Sequence, residues 1–176
     1  MQDAKMIYKD NDFISCIYRY LFNLSFRITV QFRFLQYLNL HNKFRRITGF
    51  LIRFYTLRTA KLGLSLHPDT KIGAGIRFVH NFPIVINSQS IIGKNVIIHP
   101  NVLIGGTRTK GKAPVIGDNC FLGNGCKIIG NCIIGSWTFI SPGAFICKDV
   151  PSGSVVGFGV NNIISEKGEE YVQLYL

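Results

Sequence analysis

The second half of the chain predicts a mainly β fold, a parallel β-helix, on three regularities that recur at six-residue intervals. A small or β-branched residue stands four positions after most aliphatic anchors, and Gly often follows the anchor directly. The anchors are six residues apart, with one step of twelve: Ile86, Ile92, Ile98, Ile104, Ile116, Leu122, Ile128, Ile134, Ile140 and Ile146. A sustained hexapeptide period is typical of a parallel β-helix.

Each six-residue unit is explained by a short strand followed by a tight corner. Runs such as Gly93-Lys94-Asn95 and Gly117-Asp118-Asn119 suit corners that need a positive φ. Three units make one coil of a triangular prism, and stacked coils bury their faces only against their neighbours. Anchors and small residues fill the narrow interior. We therefore expect function on outer faces, on insertions or between copies of the chain.

The charge divides the chain into regions. Residues 1–65 hold eleven Lys and Arg against three Asp, whereas residues 66–176 hold nine against six acids. We assign 1–63 to a basic helical region, 64–164 to the β-helix with a loop at 105–114, and 165–176 to a C-terminal tail. The N-terminus lacks the apolar core of a secretory signal, and five Cys form an odd set. We therefore expect a cytoplasmic protein with reduced thiols.

The basic region predicts two helices over residues 10–60. Apolar residues recur at helical spacing from Phe13 to Ile28 and again from Phe44 to Phe54. Arg19, Arg27 and Arg33 interrupt the apolar stretch 13–40, so we expect no membrane span. The helices either cap the β-helix or lie on an anionic membrane surface, and both roles are compatible. No nucleic-acid motif accompanies the charge, so we expect no nucleic-acid partner.

Two breaks in the repeat mark the candidate site. Between Phe78 and Ile86 the step is eight residues rather than six, and the extra residues fall around His80, which a bulged corner would push off the prism. A His can act as a general base near neutral pH. The second break, Gly105 to Pro114, replaces one unit by a Gly-rich, basic loop that can fold over a site and bind an anion.

Other reactive residue types fit less directly. His67 and His99 each precede a Pro at a unit boundary, and either can line the same cleft as His80. Three cysteines resemble ligand spacing, but on a three-sided coil they occupy different sides and point inward as small core residues: Cys120, Cys126 and Cys132.

From about Leu64 to Ile164 the chain resembles the hexapeptide-repeat acyltransferases, which form left-handed β-helices, and most of all their serine acetyltransferase branch. The residues that carry the resemblance are Leu66-His67-Pro68, Lys71-Ile72-Gly73-Ala74-Gly75-Ile76, His80 followed by Ile84-Val85-Ile86, Gly105-Gly106-Thr107, Ile116-Gly117-Asp118-Asn119 and Lys148-Asp149-Val150-Pro151. The resemblance implies a homotrimer with active sites between neighbouring prisms, acetyl-CoA as co-substrate and His80 as catalytic base.

The remaining site residues are predicted from their places in the repeat and from their charge. We expect His67, His99, Arg108 and Lys110 to bind the acceptor substrate. We expect acetyl-CoA to be bound by Gly105, Gly106, Thr107, Asn124, Pro142 and Lys148. A zinc site from His67, His80 and His99 is possible by residue count. We nevertheless expect no metal, because the close His pair of the zinc carbonic anhydrases with this fold is absent.

Three differences from the serine acetyltransferase pattern bear on the acceptor. Ser65 and Val79 stand where that branch carries Asp, and Ala113 stands where it carries a second active-site His. We therefore expect an O-acetyltransferase that acts on a sugar hydroxyl, in surface or capsular polysaccharide biosynthesis, as similar relatives do. The alternatives are a serine O-acetyltransferase of cysteine biosynthesis and a non-catalytic β-helix scaffold.

Overall fold

The computed structural model describes residues 13–41, 45–80, 83–107 and 113–176, which form a parallel β-helix with helices at both ends. Three helices precede the first coil and one follows the last. They are α1 (Phe13–Phe22), α2 (Leu24–His41), α3 (Arg45–Lys61) and α4 (Gly168–Gln173).

Short strands form the three sides of the prism. Sheet A contains β1 (Leu64–Leu66), β4 (Ile84–Ile86), β7 (Leu103–Gly105), β10 (Lys127–Ile129), β13 (Ala144–Ile146) and β15 (Gly159–Val160). Sheet B contains β2 (Lys71–Ile72), β5 (Ile91–Ile92), β8 (Val115–Ile116) and β11 (Ile133–Ile134). Sheet C contains β3 (Arg77–Phe78), β6 (Ile97–Ile98), β9 (Phe121–Leu122), β12 (Phe139–Ile140), β14 (Val155–Val156) and β16 (Ile163–Ser165).

The pairing register confirms the coil and locates both insertions. Lys127 pairs with Phe145, eighteen residues later, as a coil of three hexapeptides requires. Leu64 pairs with Ile84, which is twenty residues away, so the first coil holds two extra residues. Leu103 pairs with Lys127, so the loop that begins at Gly105 adds six. The described pairs are parallel except for β14 with β16, which ends the helix antiparallel.

The anchors form the core, as predicted. Every anchor of the repeat is buried, and so are the three cysteines, which are free thiols. Burial raises the pKa of Cys120 and of Cys126 to about 12 and that of Cys132 to about 11. These thiols therefore stay protonated near neutral pH and act as small apolar side chains.

The N-terminal region contains three described helices rather than the two that we predicted. The apolar run from Phe13 continues at helical spacing, but Asn23 interrupts the helix and separates α1 from α2. The Asn23 Oδ1 accepts a hydrogen bond from the Phe26 N–H at 2.9 Å, which is the bond of a helix N-cap. A polar capping residue therefore starts a new helix inside one apolar pattern.

Helix α2 is fixed to the first coil by polar side chains. The Arg33 guanidinium donates to the carbonyl oxygens of Ile72 at 2.8 Å and Gly73 at 2.5 Å. The Gln36 Nε2 donates to the Thr70 carbonyl at 2.8 Å. These carbonyl groups belong to the first coil, which has no preceding coil to donate hydrogen bonds to them. Because α2 provides the donors, it caps the β-helix. None of the described helices has the length and apolar character needed to cross a membrane.

Residues 165–176, which we expected to be a tail, are packed against the outer face of sheet C. Val172 of α4 is fully buried and clusters with Ile97 and Phe121. The Tyr175 ring lies 4.4 Å from that of Phe121, centroid to centroid. Sheet C is therefore covered, whereas apolar side chains on the outer faces of sheets A and B, such as Val85 and Ile133, are exposed.

Candidate active site

His80 lies at the corner where the first coil carries its insertion. It follows β3, its side chain is exposed, and its φ of 61° is uncommon for a residue other than Gly. The next two residues lie outside the described part of the chain. The Ser25 hydroxyl of α2 donates to the His80 carbonyl at 2.9 Å. The capping helix therefore holds the backbone of the predicted base.

His99 lies beside His80 on the next coil. The Val79 N–H donates to the Ile98 carbonyl at 2.9 Å, so the corners that contain His80 and His99 belong to adjacent coils. The His99 ring packs on Phe121 with centroids 4.7 Å apart. Burial lowers the pKa of His99, and the nearby charges of His80 and Arg77 lower it further. His99 is therefore kept in its neutral form, which can both accept and donate a hydrogen bond.

Asn124 and Pro142 continue the same corner on the later coils. The Gly125 N–H donates to the Pro100 carbonyl at 2.9 Å, and the Gly143 N–H donates to the Asn124 carbonyl at 2.9 Å. Neighbouring rows are about 4.8 Å apart. His80 and the two predicted cofactor residues thus share one edge of the prism, where sheet C meets sheet A, over roughly 15 Å.

The other predicted residues occupy the opposite edge of sheet A. Pairing of Ile86, Ile104 and Ile128 places His67, Gly105 and Lys148 at the corner between sheets A and B. His67 is half-exposed there, and its Nδ1 lies 3.3 Å from an oxygen of Asp69. The structure therefore does not place His67 with His80 and His99 in one chain. Gly106 and Thr107 follow Gly105 at this second corner.

The basic part of the loop is not described. Arg108 and Lys110, which we predicted to bind substrate, lie outside the described residues. The described residues on either side of this segment are Thr107, which is exposed, and Ala113, which is buried.

The positions that differ from the serine acetyltransferase pattern provide no ionisable group. Ser65 is exposed in the middle of β1, and Val79 packs against the cluster of Ile97 and Phe121. Within the described ranges, no group of three His, Cys, Asp or Glu side chains could hold a metal ion.

Sequence reasoning missed the residues that support the two histidines. Ser25 gave no signal, because its role depends on how α2 docks. Phe121 and Phe139 did give a signal in the sequence, because both are aromatic residues at outward positions of successive coils. In the structure their rings stack with centroids 4.5 Å apart. Such a pattern indicates a covered face, which the C-terminal residues provide.

Comparison with known proteins identifies the repeat and the fold. Residues 113–148 match the family described as bacterial transferase hexapeptide (six repeats). The chain is 36% identical over 125 residues to the serine acetyltransferase of Staphylococcus epidermidis, covering 70% of this chain and 56% of that protein. It is 40% identical over 96 residues to serine acetyltransferase 2 of Arabidopsis thaliana, covering 53% of this chain and 30% of that protein. The chain thus spans about half or less of these relatives.

Solved structures agree on the architecture. The serine acetyltransferase of Brucella abortus superposes with a TM-score of 0.79 at 24% identity, over 95% of this chain and 68% of that one. The serine acetyltransferase of Neisseria gonorrhoeae in complex with serine gives a TM-score of 0.76 at 26% identity, over 93% of this chain and 66% of that one.

The prediction of a sugar acceptor in polysaccharide biosynthesis is wrong, because these relatives and structural neighbours are serine acetyltransferases. We had given too much weight to three side chains, Ser65, Val79 and Ala113. The matches extend over 125 residues of the chain and outweigh those three positions. The chain therefore carries a bacterial transferase hexapeptide repeat over residues 113–148, and it shares its fold with serine acetyltransferases.

Proposed function

We propose that the chain is an O-acetyltransferase that transfers the acetyl group of acetyl-CoA to the hydroxyl of serine. The observation that carries the proposal is the exposed His80, fixed on an inserted corner beside the neutral His99. The relatives named serine acetyltransferase give the acceptor. A cytoplasmic location, suited to the free thiols of the chain, is part of the same proposal.

In this mechanism His80 acts as a general base. Its imidazole takes the proton of the serine hydroxyl while the oxygen attacks the thioester carbonyl, and a tetrahedral oxyanion forms. Collapse of that intermediate breaks the carbon–sulfur bond, and the proton on His80 passes to the departing CoA thiolate. His99 lies one row away and is neutral, so it can donate a hydrogen bond to the acceptor without repelling the serine ammonium group.

The backbone N–H groups of Gly105, Gly106 and Thr107 are candidates to stabilise the oxyanion. In one chain they lie across sheet A from His80, roughly 15 Å away along a strand. A neighbouring copy can bring its own Gly105 corner to the His80 corner, which supports the proposal of a trimer with sites between prisms. Asn124 and Pro142 then line the edge along which acetyl-CoA extends.

The acceptor carboxylate needs a basic partner, since Ser65, Val79 and Ala113 provide no charge. Arg108 and Lys110 on the loop have the required chemistry for this carboxylate or for the phosphates of acetyl-CoA. Lys148 is exposed at the same corner as the start of the loop and is the second candidate for the phosphates.

The test is an acceptor panel with the purified chain. Release of CoA thiol from acetyl-CoA is followed with serine, threonine, several sugars and no acceptor. We expect thiol release to depend on serine and to saturate with it. Thiol release that no acceptor stimulates, or that only sugars stimulate, would refute the proposed function.

A further inference from the structure

The helical region leaves a broad apolar surface uncovered. Large side chains on all three N-terminal helices are exposed, with Leu40 at 82% and Phe50 at 70%. Soluble chains rarely expose contiguous apolar patches of more than a few hundred Å² without a partner. We call the following residues the helical surface: Ile17, Tyr20 and Leu21 on α1; Val30, Phe34, Tyr37 and Leu40 on α2; Ile47, Phe50, Phe54 and Leu57 on α3.

Two grooves connect part of this surface across the helices. A groove of about 280 Å³ is lined by Ile17 and Leu21 of α1 and by Val30 of α2. One turn further along α2, Phe34 lines a second groove, of about 150 Å³, with Phe54 and Arg58 of α3. The helical surface is therefore continuous from α1 to α3.

Basic side chains border the apolar stripe of α3. At about 100° per residue, its exposed apolar and basic side chains fall within an arc of about 140°. Arg46 and Arg53 lie along one margin and Arg58 along the other, with Phe50 and Phe54 between them. All three arginines are exposed, and such long side chains can place their charge at a polar layer while their stems cover apolar area.

The charge of this segment identifies the partner. Residues 13–61 contain nine Lys and Arg and no Asp or Glu. A second copy of the same surface would bring like charges together, which is unfavourable. An anionic lipid bilayer offers hydrocarbon to the aromatic and aliphatic side chains and negative headgroups to the arginines.

We propose that the helical surface docks on an anionic bilayer, with α1, α2 and α3 lying in the headgroup region. This docking is independent of the proposed acetyl transfer, because the capping face of α2, with Arg33 and Gln36, is turned towards the β-helix instead. The enzyme would be a peripheral membrane protein with its coils projecting from the bilayer.

The experiment is sedimentation of the full chain with vesicles of phosphatidylcholine alone or mixed with phosphatidylglycerol. We expect binding to the mixed vesicles only, weakened by salt. The triple variant Arg46→Glu, Arg53→Glu, Arg58→Glu should lower the partition coefficient at least about 100-fold, since each basic residue near the surface contributes about fivefold. Phe50→Ser with Phe54→Ser should also weaken binding.

The matched control is Lys94→Glu, Lys148→Glu, Lys167→Glu, which changes the net charge equally through exposed residues that lie outside the N-terminal helices and outside the strands of the β-helix. It should bind mixed vesicles within a few-fold of the unaltered chain, and circular dichroism should show every variant folded. Equal loss in both triple variants, or equal binding to neutral vesicles, would overturn the proposal. So would an absence of binding together with self-association that Phe50→Ser and Phe54→Ser abolish, because a second copy would then be the partner.

Discussion

His80 combines an exposed imidazole with a backbone conformation that costs about 1–3 kcal/mol for such a residue. At other corners of the prism the left-handed positions are mostly Gly or Asn, including Asn95, Asn101 and Asn119. The Ser25 hydroxyl donates to the His80 carbonyl, and the N–H of the preceding Val79 donates to Ile98 on the adjacent coil. Trp137 has a similar φ, so the feature that singles out His80 is the two-residue insertion in its coil.

We expect His80→Ala to fold normally and to lower kcat for serine acetylation by about 10²–10⁴-fold, because the general base is removed. Steady-state thiol release measures this. His41→Ala is the matched control, since His41 is an exposed histidine at the end of α2, and it should keep full turnover. Near-normal turnover in His80→Ala would assign the base elsewhere.

His99 makes the stability of the fold depend on pH. Its pKa is lowered from 6.5, first by burial, so the unfolded chain binds this proton more readily than the folded chain does. Stability contributed by neutral His99 is present above the unfolded pKa and is lost as the pH falls below it.

We therefore expect chemical denaturation to show a lower free energy of unfolding at pH 5 than at pH 7, and His99→Gln to reduce this difference. His41→Gln should leave the difference as it is. An identical pH dependence in His99→Gln and the unaltered chain would show that His99 is not responsible.

At the scale of elements, α2 closes the open end of the β-helix through Arg33. Its guanidinium donates to the carbonyls of Ile72 and Gly73, and hydrogen bonds from a charged group contribute about 1.5–3 kcal/mol each. Because Arg33 is only partly buried, solvent weakens these bonds, and we expect Arg33→Ala to lower the free energy of unfolding by about 2–4 kcal/mol at a fixed chain concentration.

The control for this prediction is Arg53→Ala, which removes an exposed arginine of α3. It should change the free energy of unfolding by less than about 0.5 kcal/mol. Equal effects of the two substitutions in urea denaturation would mean that α2 does not stabilise the coil through Arg33.

The sequence predicted the β-helix well, because each aliphatic anchor indicates the position of one buried strand residue. Ile86, Ile104 and Ile128 align as the repeat requires, with the insertions at the two breaks. The N-terminal helices were predicted less well. Asn23 stops a helix by a local hydrogen bond, and a periodic apolar pattern does not reveal such a stop.

For the whole molecule, the positions of the predicted site residues point to an assembly. His80 and Gly105 lie on opposite edges of sheet A, and the outer faces of sheets A and B expose apolar side chains such as Ile91 and Ile133. In a trimer with three-fold symmetry, the His80 edge of each copy would meet the Gly105 edge of the next copy, and no edge would remain without a partner.

We expect light scattering to give the mass of a trimer. Ile133→Asp should lower that mass and abolish acetyl transfer, because a buried carboxylate would oppose the contact. Leu174→Asp, at a side chain that is 80% exposed on the C-terminal segment, is the control and should remain trimeric. A monomer with full activity would contradict the shared site.

The sequence located the candidate site only in part. It singled out His80 through the extra residues of its corner, and it placed Asn124 and Pro142, which the structure brings to the same edge. It could not show that His67 and Gly105 occupy another edge, since that depends on the number of residues between corners. It also predicted the wrong acceptor, because the absence of three charged side chains does not by itself determine which acceptor binds.

Product identification tests the central claim most directly. The purified protein is incubated with acetyl-CoA and serine, and the products are separated and identified by mass spectrometry. The account predicts O-acetylserine in amounts equal to the CoA released, and almost none with His80→Ala. CoA release without O-acetylserine, or equal O-acetylserine from the unaltered chain and His80→Ala, would contradict it.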